Sequence, residues 1–455
     1  MKILADKQLR IGAHLSWRRN RRVPAAPRGW LASLLAATAM LALLSTPARA
    51  ALEIDISGGT ESGVPIAVVP FDQPGGIDDL ARIIGDDLAR SGLFAPISRD
   101  VMPGRPTGPE QIRIDDWRAG KASYVVMGSV ESDGDRLRTS FYLVDVSDGS
   151  RLIGSRITGS ASNDRSIAHR ISDLVYEELT GDRGAFSTRL AYVTERGRGD
   201  DKTFTLQIAD SDGANPRTVL ESPYPIMSPS WSPDGGQLAY VSFEGNRSAI
   251  WVQDLGTGER YQLTDFPGIN GAPAWSPRGD KIAVTLSKGG NPDIYVIDLG
   301  SRRSTQWTRN GAIDTEPTWY PDNRSIAFTS DRFGQPQVFR KSSPDDRARR
   351  LTFDTPYAAG PRISPDGESL AFVTREGSGF HVAQQELADG ERRLLSRGGS
   401  EERPSYAPNG AMVVYAAQSG SGSVLKISPV IGGEPQTLSY DRGKVRDPVW
   451  GPFID

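Results

Sequence analysis

The chain has 455 residues, with 53 basic and 56 acidic residues, a formal net charge of −3 and no cysteine. The lack of cysteine excludes disulfides, thiolate metal sites and a cysteine nucleophile. The charge balance lacks the basic excess that drives binding to nucleic acid, so no nucleic-acid partner is expected.

The first 50 residues have the pattern of a secretory signal peptide. A basic stretch with Arg18, Arg19, Arg21, Arg22 and Arg28 precedes an apolar run over residues 30–44, and a small-x-small motif ends at Ala50. The run is shorter than the roughly 20 residues of a membrane-spanning helix and contains Ser33 and Thr38. We expect cleavage after Ala50. The mature chain then has 44 basic and 55 acidic residues, a net charge of −11, and no membrane span.

Residues 51–184 predict an α/β domain. The apolar run 65–71 is typical of a strand buried on both faces, and Leu80, Ile83, Ile84 and Leu88 have helical spacing within a helix over 78–91. The other predicted elements are a second helix over 109–119, strands over 122–132, 137–146 and 151–158, and a third helix over 163–179. This order is typical of a compact domain with one sheet and packed helices.

Residues 185–455 contain a repeat with a period of 44 residues. Its anchor is Pro-x-Trp-Ser-Pro-Asp-Gly followed by a short apolar strand, and it recurs with small changes at residues 229–235, 273–279, 317–323, 361–367, 404–410 and 448–452. Turn residues divide each unit into four short strands, which we call A to D. A fixed period of this length with four strands per unit predicts a β-propeller.

The ends of this region set the number of blades. Five A strands are followed by strands B, C and D, whereas the sixth, over 447–451, has nothing after it. Upstream, residues 189–195 and 203–210 predict strands B and C without a preceding A strand. We therefore predict a six-bladed propeller that closes by pairing its C-terminal strand with the first blade. Such closure also protects sheet edges.

The mouth of the propeller channel is the predicted binding surface. The A strand is innermost in each blade, so the loops from strand D to the next strand A lie nearest the channel. These loops are residues 225–228, 268–272, 312–316, 357–360, 400–403 and 444–447.

Other conspicuous residues have structural interpretations. The repeated tryptophans are expected to pack between blades. His169 and His381 are far apart in sequence with no third ligand nearby, so neither suggests a metal site. A prolyl-oligopeptidase-like hydrolase also has such repeats, but it needs a Gly-x-Ser-x-Gly nucleophile motif, which this sequence lacks. We predict no catalytic residue and no cofactor.

The mature chain resembles the TolB family of periplasmic propeller proteins of the Tol–Pal cell-envelope system. The residues that carry the resemblance are 52–56 (Leu-Glu-Ile-Asp-Ile), 65–71 (Pro-Ile-Ala-Val-Val-Pro-Phe), 270–275 (Asn-Gly-Ala-Pro-Ala-Trp), 315–322, 326–331 and 422–425. The resemblance covers essentially all of the chain after Ala50. The repeat alone is shared by many propellers, whereas its combination with a signal peptide and an α/β domain is specific.

The resemblance implies a binding protein of the periplasm, not an enzyme. Members bind the lipoprotein Pal at the channel mouth and TolA through the mature N-terminus, and they act in outer-membrane invagination during cell division and in envelope integrity. Other outer-membrane or peptidoglycan-associated partners and a monomeric state are also expected. The alternative is a propeller that binds a small molecule or a carbohydrate in its channel.

The resemblance also implies which residues bind each partner. The N-terminal candidates are Ala51, Leu52, Glu53, Ile54, Asp55 and Ile56, which alternate as in a half-buried strand. The mouth candidates are Ile269, Asn270, Gly271, Ala272, Thr315, Glu316, Gly360, Arg403 and Asp447. Ile269 departs from the family, whose familiar members have a histidine before this Asn-Gly pair. An apolar contact is therefore expected where those members make a polar one.

Overall fold

The structure of the chain is a computed structural model that describes residues 63–438 and 443–454. The predicted signal peptide and the N-terminal segment 51–56 lie outside these residues. Within them, no helix has both the length and the apolar character needed to cross a membrane.

The N-terminal region has one five-stranded sheet. Its strands are β1 (Val64–Val68), β2 (Phe94–Pro96), β3 (Tyr124–Asp133), β4 (Arg136–Asp145) and β5 (Arg151–Ser160). Their order in the sheet is β2-β1-β3-β4-β5, with β1 parallel to β2 and β3 and the other pairs antiparallel. The helices are α1 (Leu80–Arg90), α2 (Ile114–Ala119) and α3 (Asp164–Thr180), with short 3-10 turns at Arg99–Val101, Pro109–Gln111 and Ala161–Asn163.

The alternation of side chains along β1 explains how the helices cover the sheet. Ile66 and Val68 belong to a core with α1 and α3, whereas Ala67 packs in a second cluster with Trp117 of α2. A strand covered on both faces is continuously apolar, as residues 65–71 are. The Asp79 side chain caps α1 by accepting from the backbone N–H of Arg82 at 3.1 Å.

Two details differ from the prediction. The helix predicted over 109–119 is interrupted, because Ile112 and Arg113 are extended between the turn Pro109–Gln111 and α2. The three-residue strand β2 was not predicted, since a strand of this length has no recognisable alternation.

The described residues after α3 form six four-stranded blades around a channel, which confirms the predicted propeller. Blade 1 has strand A at Lys444–Trp450, B at Arg189–Arg196, C at Thr203–Asp210 and D at Arg217–Ser222, with a 3-10 turn at Gly199–Asp201. In the same order, blade 2 is Ile226–Trp231, Gln237–Ser242, Ala249–Asp254 and Arg260–Thr264, and blade 3 is Asn270–Trp275, Lys281–Leu286, Asp293–Asp298 and Ser304–Gln306. Blade 4 is Asp314–Trp319, Ile326–Ser330, Gln337–Lys341 and Arg349–Arg350, and blade 5 is Ala358–Ile363, Ser369–Glu376, Gly379–Glu386 and Arg392–Leu394. Blade 6 is Glu401–Tyr406, Met412–Ser419, Gly422–Pro429 and Gln436–Thr437.

Blade 1 joins the two ends of the propeller, as predicted. Its A strand, the last in the chain, pairs antiparallel with its B strand, Trp450 opposite Leu190 and Arg446 opposite Val193. The indole Nε1 of Trp450 also donates to the Thr188 hydroxyl at 2.7 Å. The ring is therefore closed by main-chain hydrogen bonds and a buried aromatic side chain.

The repeated tryptophans pack between neighbouring blades. Trp231 of blade 2 donates to the carbonyl of Val449 in blade 1 at 3.3 Å, and Trp319 of blade 4 donates to Ala274 in blade 3 at 3.0 Å. Each of these two indoles fills the space between two sheets and links them by one hydrogen bond, whereas the indole N–H of Trp275 has no partner among the described residues.

A shared hydrophobic cluster joins the α/β region to blades 1 and 6. It includes residues of α1 and α3 together with Leu190, Met412 and Leu425. The buried Asp173 of α3 accepts from the backbone N–H groups of Phe186 at 2.7 Å and Ser187 at 3.2 Å. These bonds fix the segment that leads from α3 into the propeller.

Candidate protein-interaction site

Every A strand contains one residue in the left-handed backbone region, at the same place in each blade. Each of these six residues is followed by proline. We call the six residues the bulge ring. Its members, with their φ angles, are Ser228 (51°), Ala272 (47°), Glu316 (54°), Gly360 (64°), Arg403 (56°) and Asp447 (51°).

The bulge ring results from the proline in each repeat. In blade 3, Gly271 pairs with Thr285 and Ala274 with Ala283, so two residues, Ala272 and its proline, lie opposite one residue of strand B. The other five A strands show the same shift of register. Proline has no N–H to donate to the ladder, and β-bulges are places where it is tolerated.

The bulge ring carries a network of charged groups across the channel. The guanidinium of Arg403 contacts two carboxylates, with Nη1 at 3.2 Å from Glu316 Oε1 and Nε at 3.1 Å from Asp447 Oδ1. The other oxygen of Glu316 accepts from the backbone N–H of Gly360 at 2.9 Å and from the Thr329 hydroxyl at 3.1 Å. Arg403 thus links blades 4, 6 and 1 in one ionic network.

Burial and neighbouring charges have opposite effects on the pKa values of the ionisable groups in this network. Burial alone would lower the pKa of Arg403, but the carboxylates of Asp447 and Glu316 raise it, so the guanidinium stays charged. At the neighbouring Glu402 the balance is the reverse, because burial and the charge of Asp447 raise its pKa more than the charges of Arg403 and Arg446 lower it.

On the mouth side of the bulge ring lies a cavity of about 490 Å³ with an apolar wall on blades 2 to 5. We call this wall the apolar crescent and define it as Met227, Phe243, Ile269, Ile313 and Tyr357. Ile269 is 48% exposed and Ile313 is 50% exposed, although both are aliphatic. The mouth therefore has an apolar wall facing charged groups of the bulge ring.

Hydrogen bonds hold the loops that carry the apolar crescent. Asn270, with no exposed surface, accepts from the backbone N–H of Phe266 at 3.1 Å and donates to its carbonyl at 2.7 Å. In the next blade, the equally buried Asp314 accepts from Arg332 at 3.0 and 3.1 Å and from Asn310 at 2.7 Å. The crescent is thus preorganised, which lowers the entropy lost when a partner binds.

Further aromatic side chains are exposed on the loops of the same face. Phe333 is 68% exposed, Phe353 is 65% exposed, and the guanidinium of Arg350 lies near both rings, 5.8 and 5.2 Å from their centroids. Tyr224, in the loop before blade 2, and Phe380, at the start of strand C in blade 5, are also exposed. Exposed apolar groups concentrated on one face are typical of protein-interaction surfaces.

A second cavity, of about 370 Å³, lies on the other side of the bulge ring. The tryptophans and prolines of the repeats line it, together with Arg362. Burial and the nearby charge of Arg403 lower the pKa of Arg362 to about 10. Among the described residues, no carboxylate lies within 4 Å of its guanidinium.

The structure places the predicted mouth residues in three different situations. Ile269 is exposed at the mouth, and Glu316, Gly360, Arg403 and Asp447 belong to the bulge ring with Ala272. Asn270 is buried, so it shapes its loop and offers no surface to a partner. Gly271 and Thr315 are half-buried beside the cavity, and the Thr315 hydroxyl lies 3.3 Å from that of Thr285. The N-terminal candidates 51–56 lie outside the described residues.

Sequence reasoning did not single out Ile313 or Tyr357 at the mouth. Both were detectable from the repeat, because Ile313 follows Ile269 by one period of 44 residues and Tyr357 follows Ile313 by another. The aromatic residues outside the mouth have no such regularity.

Comparison with known proteins identifies the family. The family model described as the TolB beta propeller domain matches residues 176–454, and the TolB amino-terminal domain matches residues 52–152. Two similar relatives, both named Tol-Pal system protein TolB, come from Methylococcus capsulatus (57% identical over 404 residues, 89% of this chain and 95% of the relative) and Methylobacillus flagellatus (58% over 412 residues, 90% and 94%). The crystal structure of TolB from Acinetobacter baumannii matches with a TM-score of 0.80 at 40% identity, over 86% of this chain and 97% of that one. The chain belongs to the TolB family.

Proposed function

We propose that this chain is a non-enzymatic component of the Tol–Pal system in the periplasm. It binds the lipoprotein Pal at the channel mouth and TolA through residues 51–56, and so acts in outer-membrane invagination during cell division and in envelope integrity. In this proposal residues 1–50 are a signal peptide, 51–184 the α/β domain and 185–455 the propeller. The names of the similar relatives support a Tol–Pal role.

The character of the mouth carries the Pal proposal. An exposed aliphatic pair, Ile269 and Ile313, lies on loops held by buried hydrogen bonds, beside an ionic network. Such a surface combines apolar area with fixed charges, and both features favour a specific protein partner.

The TolA proposal is carried by the pattern of residues 52–56. Leu52, Ile54 and Ile56 alternate with Glu53 and Asp55 near the predicted mature N-terminus. A short alternating segment of this kind can add to the edge of a partner's sheet, with one face apolar and the other charged.

Calorimetry with purified Pal tests the mouth. Ile313→Asp places a charge in the apolar crescent, and we expect it to weaken binding by about 2 kcal/mol, roughly 30-fold in Kd. The matched control is Val101→Asp, which changes an aliphatic residue of the α/β region that is 62% exposed. Equal Kd values for Ile313→Asp and the control would refute the proposed position of the Pal site.

The N-terminal segment is tested separately with TolA. Ile54→Asp should abolish TolA binding, because it puts a charge on the apolar face of the added strand, whereas Glu53→Gln on the other face should retain it. Pal affinity of both variants serves as the test of folding. TolA binding by Ile54→Asp at the wild-type level would contradict this half of the proposal.

A further inference from the structure

A buried histidine faces two aspartates where the α/β region meets the propeller. His169 of α3 has 3% of its side chain exposed, and its Nε2 lies 3.8 Å from Asp212 Oδ2. Asp210 and Asp212 lie at and just after the end of strand C in blade 1. The ligand atoms of His169, Asp210 and Asp212 all lie within 4.8 Å of one another.

The other ring nitrogen of His169 is already bonded, which sets the orientation of the imidazole. Nδ1 lies 2.7 Å from Oδ2 of Asp87, a fully buried residue of α1, and donates to it. Arg90 holds the second oxygen of Asp87 at 2.8 Å. A carboxylate that accepts from one ring nitrogen and directs the other outward is the usual arrangement behind a metal-bound histidine.

The Nε2 atom itself lacks a hydrogen-bond partner within the described part of the chain. A buried polar atom without a partner is uncommon and destabilising. The unpartnered atom faces the carboxylates of Asp210 and Asp212, which already accept hydrogen bonds from Asn215 and from Arg165 and Ala214. Each carboxylate oxygen has a second acceptor position, so a cation between the three groups would bind Nε2 and these remaining positions.

The net charge around this position is negative and therefore favours a bound cation. Four carboxylates, those of Asp78, Asp87, Asp210 and Asp212, face two guanidinium groups, those of Arg90 and Arg165. With a neutral imidazole, the cluster has two uncompensated negative charges, which one divalent ion would balance. Arg165 contacts both Asp78 and Asp212. A carboxylate oxygen has two acceptor positions, so Asp212 can bind Arg165 and a metal ion together.

We propose that His169, Asp210 and Asp212 form a zinc site between the α/β region and blade 1. One imidazole nitrogen and two carboxylate oxygens are ligands that Zn²⁺ accepts, whereas Mg²⁺ and Ca²⁺ prefer oxygen alone. Zn–N and Zn–O bonds of about 2.0–2.2 Å place tetrahedral ligands about 3.4 Å apart. Binding therefore requires these atoms to approach one another by up to about 1.4 Å, with water completing the coordination.

The site is accessible from solvent. A cavity of about 320 Å³ reaches Asp212 and Arg165 and is bordered by Arg82 and Asp86 of α1 and by strand D of blade 6. The ligands come from both parts of the protein, so an ion bound here also links the α/β region to the propeller.

Calorimetry on the untagged, EDTA-treated protein tests the proposal with ZnCl2. We expect one Zn²⁺ per chain, no displacement by excess Mg²⁺ or Ca²⁺, and at least tenfold weaker binding for Asp210→Asn and His169→Gln. The matched control is His381→Gln, because His381 lies 3.5 Å from Glu401 in the propeller, away from this cluster. Substitution with Co²⁺ should give the absorption of a tetrahedral nitrogen and oxygen site.

Near-ultraviolet circular dichroism of each variant separates loss of the site from loss of the fold. Asp210→Asn decides the question if His169→Gln fails to fold, since Asp210 is only half-buried. A folded Asp210→Asn variant that binds Zn²⁺ as tightly as the wild type would overturn the proposal. The absence of Zn²⁺ uptake by the folded wild-type protein would also overturn it.

Discussion

The ionic network of the bulge ring makes a quantitative prediction about stability. Arg403→Met removes the guanidinium that contacts both Glu316 and Asp447. Glu316 keeps its hydrogen bonds from Gly360 and Thr329, but Asp447, with 6% of its side chain exposed, loses its ion-pair partner. Breaking a buried ion pair costs about 3–5 kcal/mol, and we expect about 3 kcal/mol because 24% of the Arg403 side chain is exposed.

The assay is urea unfolding followed by tryptophan fluorescence, with Arg324→Met as the control. Arg324 is an exposed arginine in a turn of blade 4, and its replacement should change the free energy of unfolding by less than about 0.5 kcal/mol. The triple variant Arg403→Met, Glu316→Gln, Asp447→Asn should recover part of the loss, because no charge is left unpaired. A loss below 1 kcal/mol in Arg403→Met, or a triple variant less stable than the single one, would refute the reasoning.

Three further predictions concern other parts of the propeller. Gly360→Ala should lower the free energy of unfolding, measured by urea unfolding, by only about 1 kcal/mol. The reason is that the five other bulge-ring residues carry side chains in the same left-handed conformation. A loss above 3 kcal/mol would contradict this. Trp450→Ala should lower the free energy of unfolding by about 3–5 kcal/mol, since it leaves a cavity at a buried position and removes the hydrogen bond to Thr188. Limited proteolysis of this variant should also be faster than that of the wild type. Unchanged resistance to proteolysis would argue against a role of Trp450 in closing the ring. At Asp280, burial alone would raise the pKa of the carboxyl group, but hydrogen bonds from Ser276 and other neighbours lower it below its usual value. The ionised carboxylate therefore stabilises the folded state. This contribution is fully present above the unfolded-state pKa near 4 and is lost as the pH falls through the folded-state pKa. Asp280→Asn should therefore be less stable than wild type at neutral pH, with a difference that narrows in acid; a difference independent of pH would be inconsistent with this account.

The propeller was largely predictable because its sequence repeats. Each repeat contains the same strands and turns, so the two copies that have Ile363 and Tyr406 in place of tryptophan could be recognised by comparison with the regular ones. The start of the A strand was less predictable. The strand of blade 3 begins at Asn270, whereas the sequence analysis assigns residues 268–272 to the preceding loop. The bulge at Ala272 interrupts the alternation that marks a strand, although hydrogen bonding continues on both sides.

The position of the candidate site could be predicted, but not its contacts. Equal spacing places Glu316, Arg403 and Asp447 at one level of the channel, yet nothing in the sequence indicates that Arg403 contacts both carboxylates. Burial of Asn270 was also unpredictable, because a polar residue in a loop is usually exposed. The approach of Asp212 to His169 depends on the packing of α3 against blade 1, which local patterns do not encode.

The seam in blade 1 has a consequence for how quickly the propeller forms and opens. Thr188 and Trp450 are in contact although 262 positions separate them in the chain. Contacts of such separation form slowly, because the loop entropy must be lost before the contact gives any stabilisation. We expect the first and last strands to join after the intervening blades have folded. Once they are paired, neither end can detach alone, so we expect the native state to unfold slowly and to resist proteolysis.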